Sequence, residues 1–241
     1  MLRKLLLGVF GMFAASAGMQ AQLMQIPQLP NAPFQAVNTT VLDDGRGKHQ
    51  ASGKVARNSD GSIYQEQWSP DGGQLVQIYI IDVPAKKFIR LDPAQKLYTV
   101  REGPTIGAYA PMPELAEVIA AGGKSIHKEI SGAAEDIQPL GQKEMEGISV
   151  VGVSTTAKRA AGRFGEAIDF TTEKWISPDL QIALVSKTHD VAKGTDFVST
   201  LSQVKRGDPP PSLFHIPFDY EQDPANAKAM SAAPATEAPG K

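Results

Sequence analysis

The sequence of 241 residues contains no cysteine, and this absence removes several classes of protein. An exported lipoprotein carries its lipid on a cysteine at the cleavage site, so the chain is not of that class. Disulfides and metal sites built on thiolates are excluded as well. The fold must therefore be held by its hydrophobic core, and a body of about 185 residues can achieve this because it buries roughly 70% of its unfolded surface.

Histidine is also scarce. The four histidines, His49, His127, His189 and His215, show no His-x-x-x-His spacing, and no Gly-x-Ser-x-Gly motif is present. We therefore expect no metal, no cofactor and no catalytic residue. A hydrolase with dispersed residues remains the alternative, in which Asp190 would orient the imidazole of His189.

Long runs of like charge are missing. The formal net charge is −2, whereas nucleic-acid binding favours clustered positive charge. We expect no nucleic-acid partner.

The first 22 residues have the pattern of a secretory signal peptide. Arg3 and Lys4 precede an apolar run over residues 5–15, and small residues suitable for cleavage follow. That run is shorter than the roughly 20 residues of a membrane-spanning helix. We expect a periplasmic or secreted protein with no stable membrane span after cleavage; a lone membrane anchor is the alternative.

The rest of the chain divides into three parts. Residues 23–52 are predicted to form an extended lead-in and a first strand, and residues 53–221 a single β domain. Residues 222–241 contain alanine, proline and polar residues with almost no large apolar side chain. Such a segment cannot bury enough surface to offset its ordering entropy, so we expect a disordered tail.

Residues 53–221 read mainly as short strands. Residues 78–100, IYIIDVPAKKFIRLDPAQKLYTV, hold three apolar runs separated by the turns DVPAK and DPAQK. A spacing of about ten residues leaves no room for crossover helices and predicts an antiparallel meander. One short helix is predicted over residues 113–121, with proline in its first turn and Gly122 as its stop.

Alternation along the strands indicates which faces are covered. The central strands are apolar on both faces, whereas the hairpin of residues 53–68 is predicted to be polar and half-exposed. A curled sheet with an apolar concave face explains this pattern. A β-sandwich with a filled core is the alternative.

Several motifs carry a family resemblance. EKWISPDL at residues 173–180, LGQKEMEGI at residues 140–148 and PPSLFHIPFDY at residues 210–220 resemble uncharacterised exported bacterial proteins known chiefly from acidobacterial genomes. The layout of residues 53–221 is more distantly similar to the periplasmic lipoprotein-carrier (LolA/LolB-like) superfamily. That resemblance implies a curved antiparallel half-barrel, although one helix is predicted here where the carriers have several.

Together these observations predict a non-catalytic periplasmic binding module whose apolar concave face takes a lipid or acyl chain. The predicted ligand-binding residues are Val76, Ile78, Ile80, Phe88, Leu97, Ile182 and Leu184. A loop at the mouth of the half-barrel is predicted to contribute Arg159, Gly162, Arg163 and Gly165. The alternative is an envelope protein-interaction or assembly module that binds an envelope protein through its sheet edge and loops.

An internal echo links Glu66-Gln67-Trp68 to Glu173-Lys174-Trp175, and a Ser-Pro-Asp turn follows each. We expect both tryptophans to end a strand beside a tight turn. Either a strand-turn-strand unit is duplicated, or the same turn chemistry has arisen twice.

Overall fold

The computed structural model describes residues 26–69, 72–102, 112–130, 133–161 and 167–224. The predicted signal peptide and almost all of the predicted tail lie outside these ranges. Within them, no helix has the length and apolar character needed to cross a bilayer.

The described residues form strands, one helix and a short 3₁₀ turn. The strands are β1 (Phe34–Asp43), β2 (Lys48–Arg57), β3 (Ile63–Trp68), β4 (Leu75–Asp82), β5 (Lys87–Asp92), β6 (Leu97–Glu102), β7 (Ile126–Ile130), β8 (Ala133–Met145), β9 (Ile148–Arg159), β10 (Ile168–Ser177), β11 (Ile182–Asp190), β12 (Thr195–Arg206) and β13 (Glu221–Gln222). The helix α1 spans Pro113–Ala120, and the 3₁₀ turn spans Pro211–Phe214.

All the strands belong to one sheet, in the order β13-β6-β5-β4-β3-β2-β1-β12-β11-β10-β9-β8-β7. Two antiparallel meanders, β1 to β6 and β7 to β12, are joined where β1 pairs with β12. The sheet is curved and does not close, so the predicted half-barrel is confirmed and the sandwich alternative is wrong. Residues 23–52, predicted as an extended lead-in and a first strand, contain β1 and the start of β2.

The turns DVPAK and DPAQK form as their sequences predict. The Asp82 carboxylate accepts a hydrogen bond from the Ala85 backbone N–H at 2.9 Å, and Asp92 accepts one from Ala94 at 3.0 Å. Asp favours such turns because its side chain can bond to its own backbone a few residues further on.

One face of the sheet, here called the inner face, carries α1. Lys174, Ser186, Ser199 and Thr40 are successive cross-strand partners on β10, β11, β12 and β1. Directly paired residues point to the same side of a sheet. Lys174 Nζ bonds to Glu114 Oε1 of α1 at 2.7 Å, which fixes the side on which the whole row lies.

At one end of the half-barrel the inner face is closed by a hydrophobic core around Arg57. This core includes Phe34, Ile63, Ile81 and Leu184, and Ile26 of the N-terminal segment packs into it. The Arg57 guanidinium is fully buried and binds three backbone carbonyls, those of Pro27, Ala32 and Leu180.

The bond from Arg57 Nη2 to the Leu180 carbonyl, 2.6 Å long, also reports curvature. Arg57 ends β2 and Leu180 lies just before β11, and β1 and β12 separate these strands. Three strand spacings in a flat sheet amount to roughly 14 Å. The direct bond therefore indicates that the sheet curls toward its inner face.

The outer face of β3 to β6 is covered by residues 208–224, here called the C-terminal strap. Leu213, Phe214, Ile216 and Tyr220 of the strap pack on a core formed by Ala56, Tyr64, Ile78, Ile80, Ile89 and Leu91. The strap ends as β13, which runs parallel to β6. The apolar outer face predicted for the central strands is thus covered by the chain itself.

The hairpin of residues 53–68 was expected to be half-exposed, and this expectation is wrong for β3. Its Ile63, Tyr64 and Gln65 are all buried. The reason is that the N-terminal segment and the core around Arg57 cover the inner face of β3, while the C-terminal strap covers its outer face.

The helix α1 forms close to its predicted position and ends before Gly122, which has a φ of 64°. Glycine is favoured there because this left-handed conformation strains other residues. Leu115 packs against Ile176, and Val118 against Ile137 and Val153.

Candidate functional site

A small cavity lies on the inner face between the sheet and the N-terminus of α1. It has room for about two water molecules. It is lined by Ile26, Asn38, Val55, Gln65, Met112, Ile182, Ala183, Ser186, Ser199 and Leu201. The lining is apolar at six positions and polar at four, and none of these side chains carries a formal charge.

The polar side of the cavity is built from neighbouring strands. Ser199 Oγ on β12 donates to Asn38 Oδ1 on β1 at 3.0 Å, and both side chains are buried. Gln65 on β3 is held between two cross-strand neighbours, Val55 and Tyr79. The register of the sheet therefore turns these polar side chains toward one hollow.

Gln65 is the unusual member of this group. Its side chain is only 4% exposed, yet Oε1 has no hydrogen-bond partner among the described residues. A buried carbonyl without a partner loses its hydration with nothing in return, which costs about 1–3 kcal/mol. Such a group calls for an explanation, either structural or functional.

A second polar cluster lies beside Gln65 on the same face. The Tyr79 hydroxyl donates to Gln67 Oε1 at 3.1 Å and also contacts Gln77 Oε1. The Tyr79 ring stacks on Phe88 with 5.8 Å between ring centroids. The hydrogen bonds of Tyr79 and its stacking on Phe88 together hold these inner-face side chains in place beside Gln65.

Ion pairs fasten α1 over the inner face. Glu114 bonds Lys174, and Lys128 on β7 lies 2.8 Å from Glu117 and 3.1 Å from Glu135. Burial alone would lower the pKa of Lys128, but its hydrogen bonds to Glu117 and Glu135 raise it overall. The helix is thus held by a few apolar side chains and by charges near the surface.

Of the seven predicted ligand-binding residues, Ile182 lines the cavity. Leu184 and Phe88 belong to the core at the closed end of the half-barrel. Phe88 pairs with Ile81, so it lies on the opposite face from Ile78 and Ile80.

The other four predicted residues lie away from the cavity. Ile78 and Ile80 are covered by the C-terminal strap on the outer face. Val76 is 39% exposed, and Leu97 on β6 pairs with Glu221 of β13. Ile182 is therefore the one of the seven that lines this cavity.

The predicted mouth loop is largely outside the described residues. Three of its four residues lie outside the described ranges, namely Gly162, Arg163 and Gly165. Arg159 ends β9 and is partly buried.

The cavity's polar residues Asn38, Gln65, Ser186 and Ser199 are absent from the sequence predictions. A signal for one of them exists, because Ile63, Gln65 and Gln67 alternate along β3 and therefore share a face with a buried isoleucine. Asn38, Ser186 and Ser199 give no comparable signal, since only the register reveals that they converge.

The proposed pairing of His189 with Asp190 is not what the structure contains. His189 Nδ1 lies 2.7 Å from Asp196 Oδ1 of the neighbouring strand, and Asp190 pairs with Lys193. The reason is that Asp190 points to the other side of β11, while Asp196 lies directly opposite His189.

A second exposed pair, His127 and Asp136, has the same 2.7 Å geometry on β7 and β8. Hydrogen bonding to Asp136, together with its charge, raises the pKa of His127. Within the described ranges, no three His, Asp or Glu side chains converge as a metal site would require.

Comparison with known proteins gives matches of fold at low sequence identity. No protein-family model and no curated protein sequence matches the chain. An uncharacterised conserved protein from Thermus thermophilus matches with a TM-score of 0.46 and 11% identity, over 86% of this chain and 98% of that one. A LolA superfamily protein from Nitrosomonas europaea matches with a TM-score of 0.42 and 11% identity, over 80% and 93%.

A crystal structure of MucB matches with a TM-score of 0.41 and 11% identity, over 86% of this chain and 64% of MucB. The chain thus spans less than two thirds of MucB. One of these matches is a member of the LolA superfamily, to which the sequence predicts a distant similarity.

Proposed function

We propose that the protein is an exported, non-catalytic binding module that holds a lipid or acylated ligand on the inner face of its half-barrel, beneath α1. The observation that carries this proposal is the cavity between the sheet and Met112, the residue before α1, which combines an apolar lining with uncharged polar groups. Ile182 contributes to the apolar part. The signal-peptide pattern of residues 1–22 supports export to the periplasm or beyond it.

An acyl chain is larger than the cavity, so α1 must move away from the sheet to admit one. Burying a dozen methylenes gains about 10 kcal/mol before association costs. Releasing α1 exposes Met112, Leu115 and Val118, which are buried here, at about 1.5–3 kcal/mol each. The ligand can offset this cost because its chain takes the place of the side chains that leave.

Native mass spectrometry of the gently purified protein tests the proposal. We expect a co-purified lipid, and a fluorescent fatty acid that binds the delipidated protein. Ala183→Trp should abolish that binding by filling the cavity, whereas Ala192→Trp, in the exposed turn after β11, should leave it unchanged. A clean apo mass together with no fatty-acid binding would refute the proposal, provided that circular dichroism shows both variants folded.

An envelope-assembly role is the second candidate, and the position of β7 favours it. The strand β7 forms one end of the sheet, so one of its sides pairs with no other strand in the described part of the chain. A partner strand could add there. A pull-down that recovers a stoichiometric protein partner and no lipid would select this candidate over the first.

A further inference from the structure

Gln65 lines the cavity and carries a hydrogen-bond acceptor that has no partner in the described part of the chain. This acceptor is Oε1 of its buried side-chain amide. The neighbouring Gln67 differs in this respect, because its Oε1 accepts the Tyr79 hydroxyl. An apolar side chain at position 65 would fill the same space without leaving a polar atom unpaired.

The missing partner of Gln65 must be a hydrogen-bond donor, because a carbonyl oxygen only accepts. Ethers, esters and ketones cannot supply that proton. Hydroxyl and amide N–H groups can. The size of the cavity, room for about two water molecules, suits a group of this size.

The donor must also be uncharged. None of the residues that line the cavity carries a formal charge, and the nearby Glu114 and Lys174 are paired with each other. An ammonium or a carboxylate inside the cavity would lose its hydration without gaining an opposite charge, so a fatty acid used as a probe binds through its chain and keeps its carboxylate in solvent.

The apolar lining shows what the donor is attached to. Val55, Ile182 and Leu201 flank the polar residues in the same cavity. A ligand that satisfies Gln65 can therefore bury an apolar chain next to its donor group.

We infer that Gln65 recognises the neutral hydrogen-bond donor of an amphipathic ligand, a hydroxyl or an amide N–H joined to an apolar chain that lies against Val55, Ile182 and Leu201. This inference rests on the proposed function and specifies the class of ligand. It predicts that ligands with equal chains are ranked by whether their head group donates a hydrogen bond.

Two dodecanoyl amides test this with little change in shape. N-methyldodecanamide has one N–H, and N,N-dimethyldodecanamide has none. Hydrophobic burial alone would favour the dimethyl amide, because it has one more methyl group. We expect the purified full-length exported protein to bind the N-methyl amide about tenfold more tightly, as measured by displacement of a fluorescent fatty acid.

Gln65→Met removes the acceptor while keeping the length of the side chain, and it should abolish the tenfold preference. Its matched control is Gln67→Met on the same strand and face, outside the cavity lining, which should keep the preference. The wild-type preference is measured independently, so a Gln65→Met variant that fails to fold leaves the test standing.

The outcomes separate the inference from the proposed function. Equal affinity for the two amides in the wild type overturns the inference and leaves lipid binding intact. A preference that persists in folded Gln65→Met also overturns it, and would mean that Gln65 only holds water. Failure of both amides and of the fatty acid to bind overturns the proposed function together with the inference.

Discussion

Arg57 is a charge that the protein buries completely and surrounds with backbone carbonyls. Nη1 donates to Pro27 at 2.8 Å, while Nη2 donates to Ala32 at 2.8 Å and to Leu180 at 2.6 Å. Burial lowers the pKa of Arg57 to about 10, so the guanidinium stays charged at neutral pH. The planar fork of arginine is suited to binding several acceptors at once.

Replacing this residue tests how much it stabilises the closed end of the half-barrel. Arg57→Met leaves the three carbonyls without their donors, and we expect the free energy of unfolding to fall by about 3–5 kcal/mol. Arg57→Lys keeps the charge but loses the fork, so its loss should be smaller. Urea unfolding measures both changes, and a loss below about 1 kcal/mol for the methionine variant would contradict this role.

The pair of His127 and Asp136 gives a prediction about pH. Because Asp136 raises the pKa of His127 in the folded state, the pair contributes stability below the unfolded value of about 6.5. That contribution is lost as the pH rises through the higher folded pKa. An NMR titration should place the pKa of His127 above that of a free histidine, and Asp136→Asn should bring it down. A value unaffected by Asp136→Asn would contradict the assignment.

Among the strands, the two Glu-x-Trp segments form similar local structures. Trp68 Nε1 donates to Glu66 at 3.1 Å, and Trp175 Nε1 donates to Glu173 at 2.7 Å. Trp68 ends β3 as predicted, whereas the prediction is wrong for Trp175, which lies two residues before the end of β10. Each indole packs over a glycine of the preceding strand, Gly53 on β2 and Gly152 on β9.

The topology argues against a duplication. Five antiparallel steps separate β3 from β10, so the two strands run in opposite directions while both tryptophans face outward. Half a turn about the normal of the sheet superposes β3 on β10 with the same face outward. That rotation places β2 on β11, whereas a duplication that includes the two glycine-bearing strands would place β2 on β9. The same chemistry has therefore arisen twice.

The close approach of these glycines to their neighbours predicts a steric effect. A Cβ on Gly152 would lie 2.7 Å from the Trp175 ring, and one on Gly53 would lie 2.7 Å from the Glu66 carbonyl oxygen. Gly152→Ala and Gly53→Ala should each lower the free energy of unfolding by about 1–3 kcal/mol. Gly47→Ala, with no atom within 4 Å, is the control and should change little. Equal stability of all three variants in urea would contradict this packing.

The C-terminal strap is an element whose removal can be tested. Lys96 helps to hold it, since its Nζ lies 3.0 Å from Asp219 and 4.9 Å from the centre of the Tyr220 ring. Truncation after Gly207 should expose the outer core of β3 to β6 and lower the free energy of unfolding by about 3–6 kcal/mol. Increased binding of a hydrophobic dye should accompany the loss. Truncation after Pro224 keeps the whole strap and serves as the control, and equal behaviour of the two forms would contradict the role of the strap.

For the whole molecule, the strand layout and the half-barrel could be predicted because turns and alternation are local signals. The face of the sheet on which each apolar side chain lies could not be predicted. A β-bulge where Trp175 and Ile176 oppose Val185 and Ala183 breaks the alternation predicted for Ile182 and Leu184. The turn between β4 and β5 sets the register that puts Phe88 opposite Ile81.

The strap explains why the apolar pattern of the central strands was misleading. Ile78 and Ile80 were predicted to contact a ligand because both faces of β4 are apolar. Leu213 and Phe214, which are more than 130 residues further along the chain, help to cover that face. A face that is covered by a distant segment gives no signal in the local sequence. The polar cavity on the inner face gives none either, because its lining residues come from strands far apart in the chain.

Photo-crosslinking can show whether a ligand binds on the inner face beneath α1. A fatty acid with a diazirine on its chain is bound, irradiated and located by mass spectrometry of peptides. We expect adducts on segments that line the cavity, around Gln65, Met112, Ile182 and Leu201, and we expect these adducts to be lost when unlabelled lipid competes. Adducts confined to the outer face or to the C-terminal strap would contradict it.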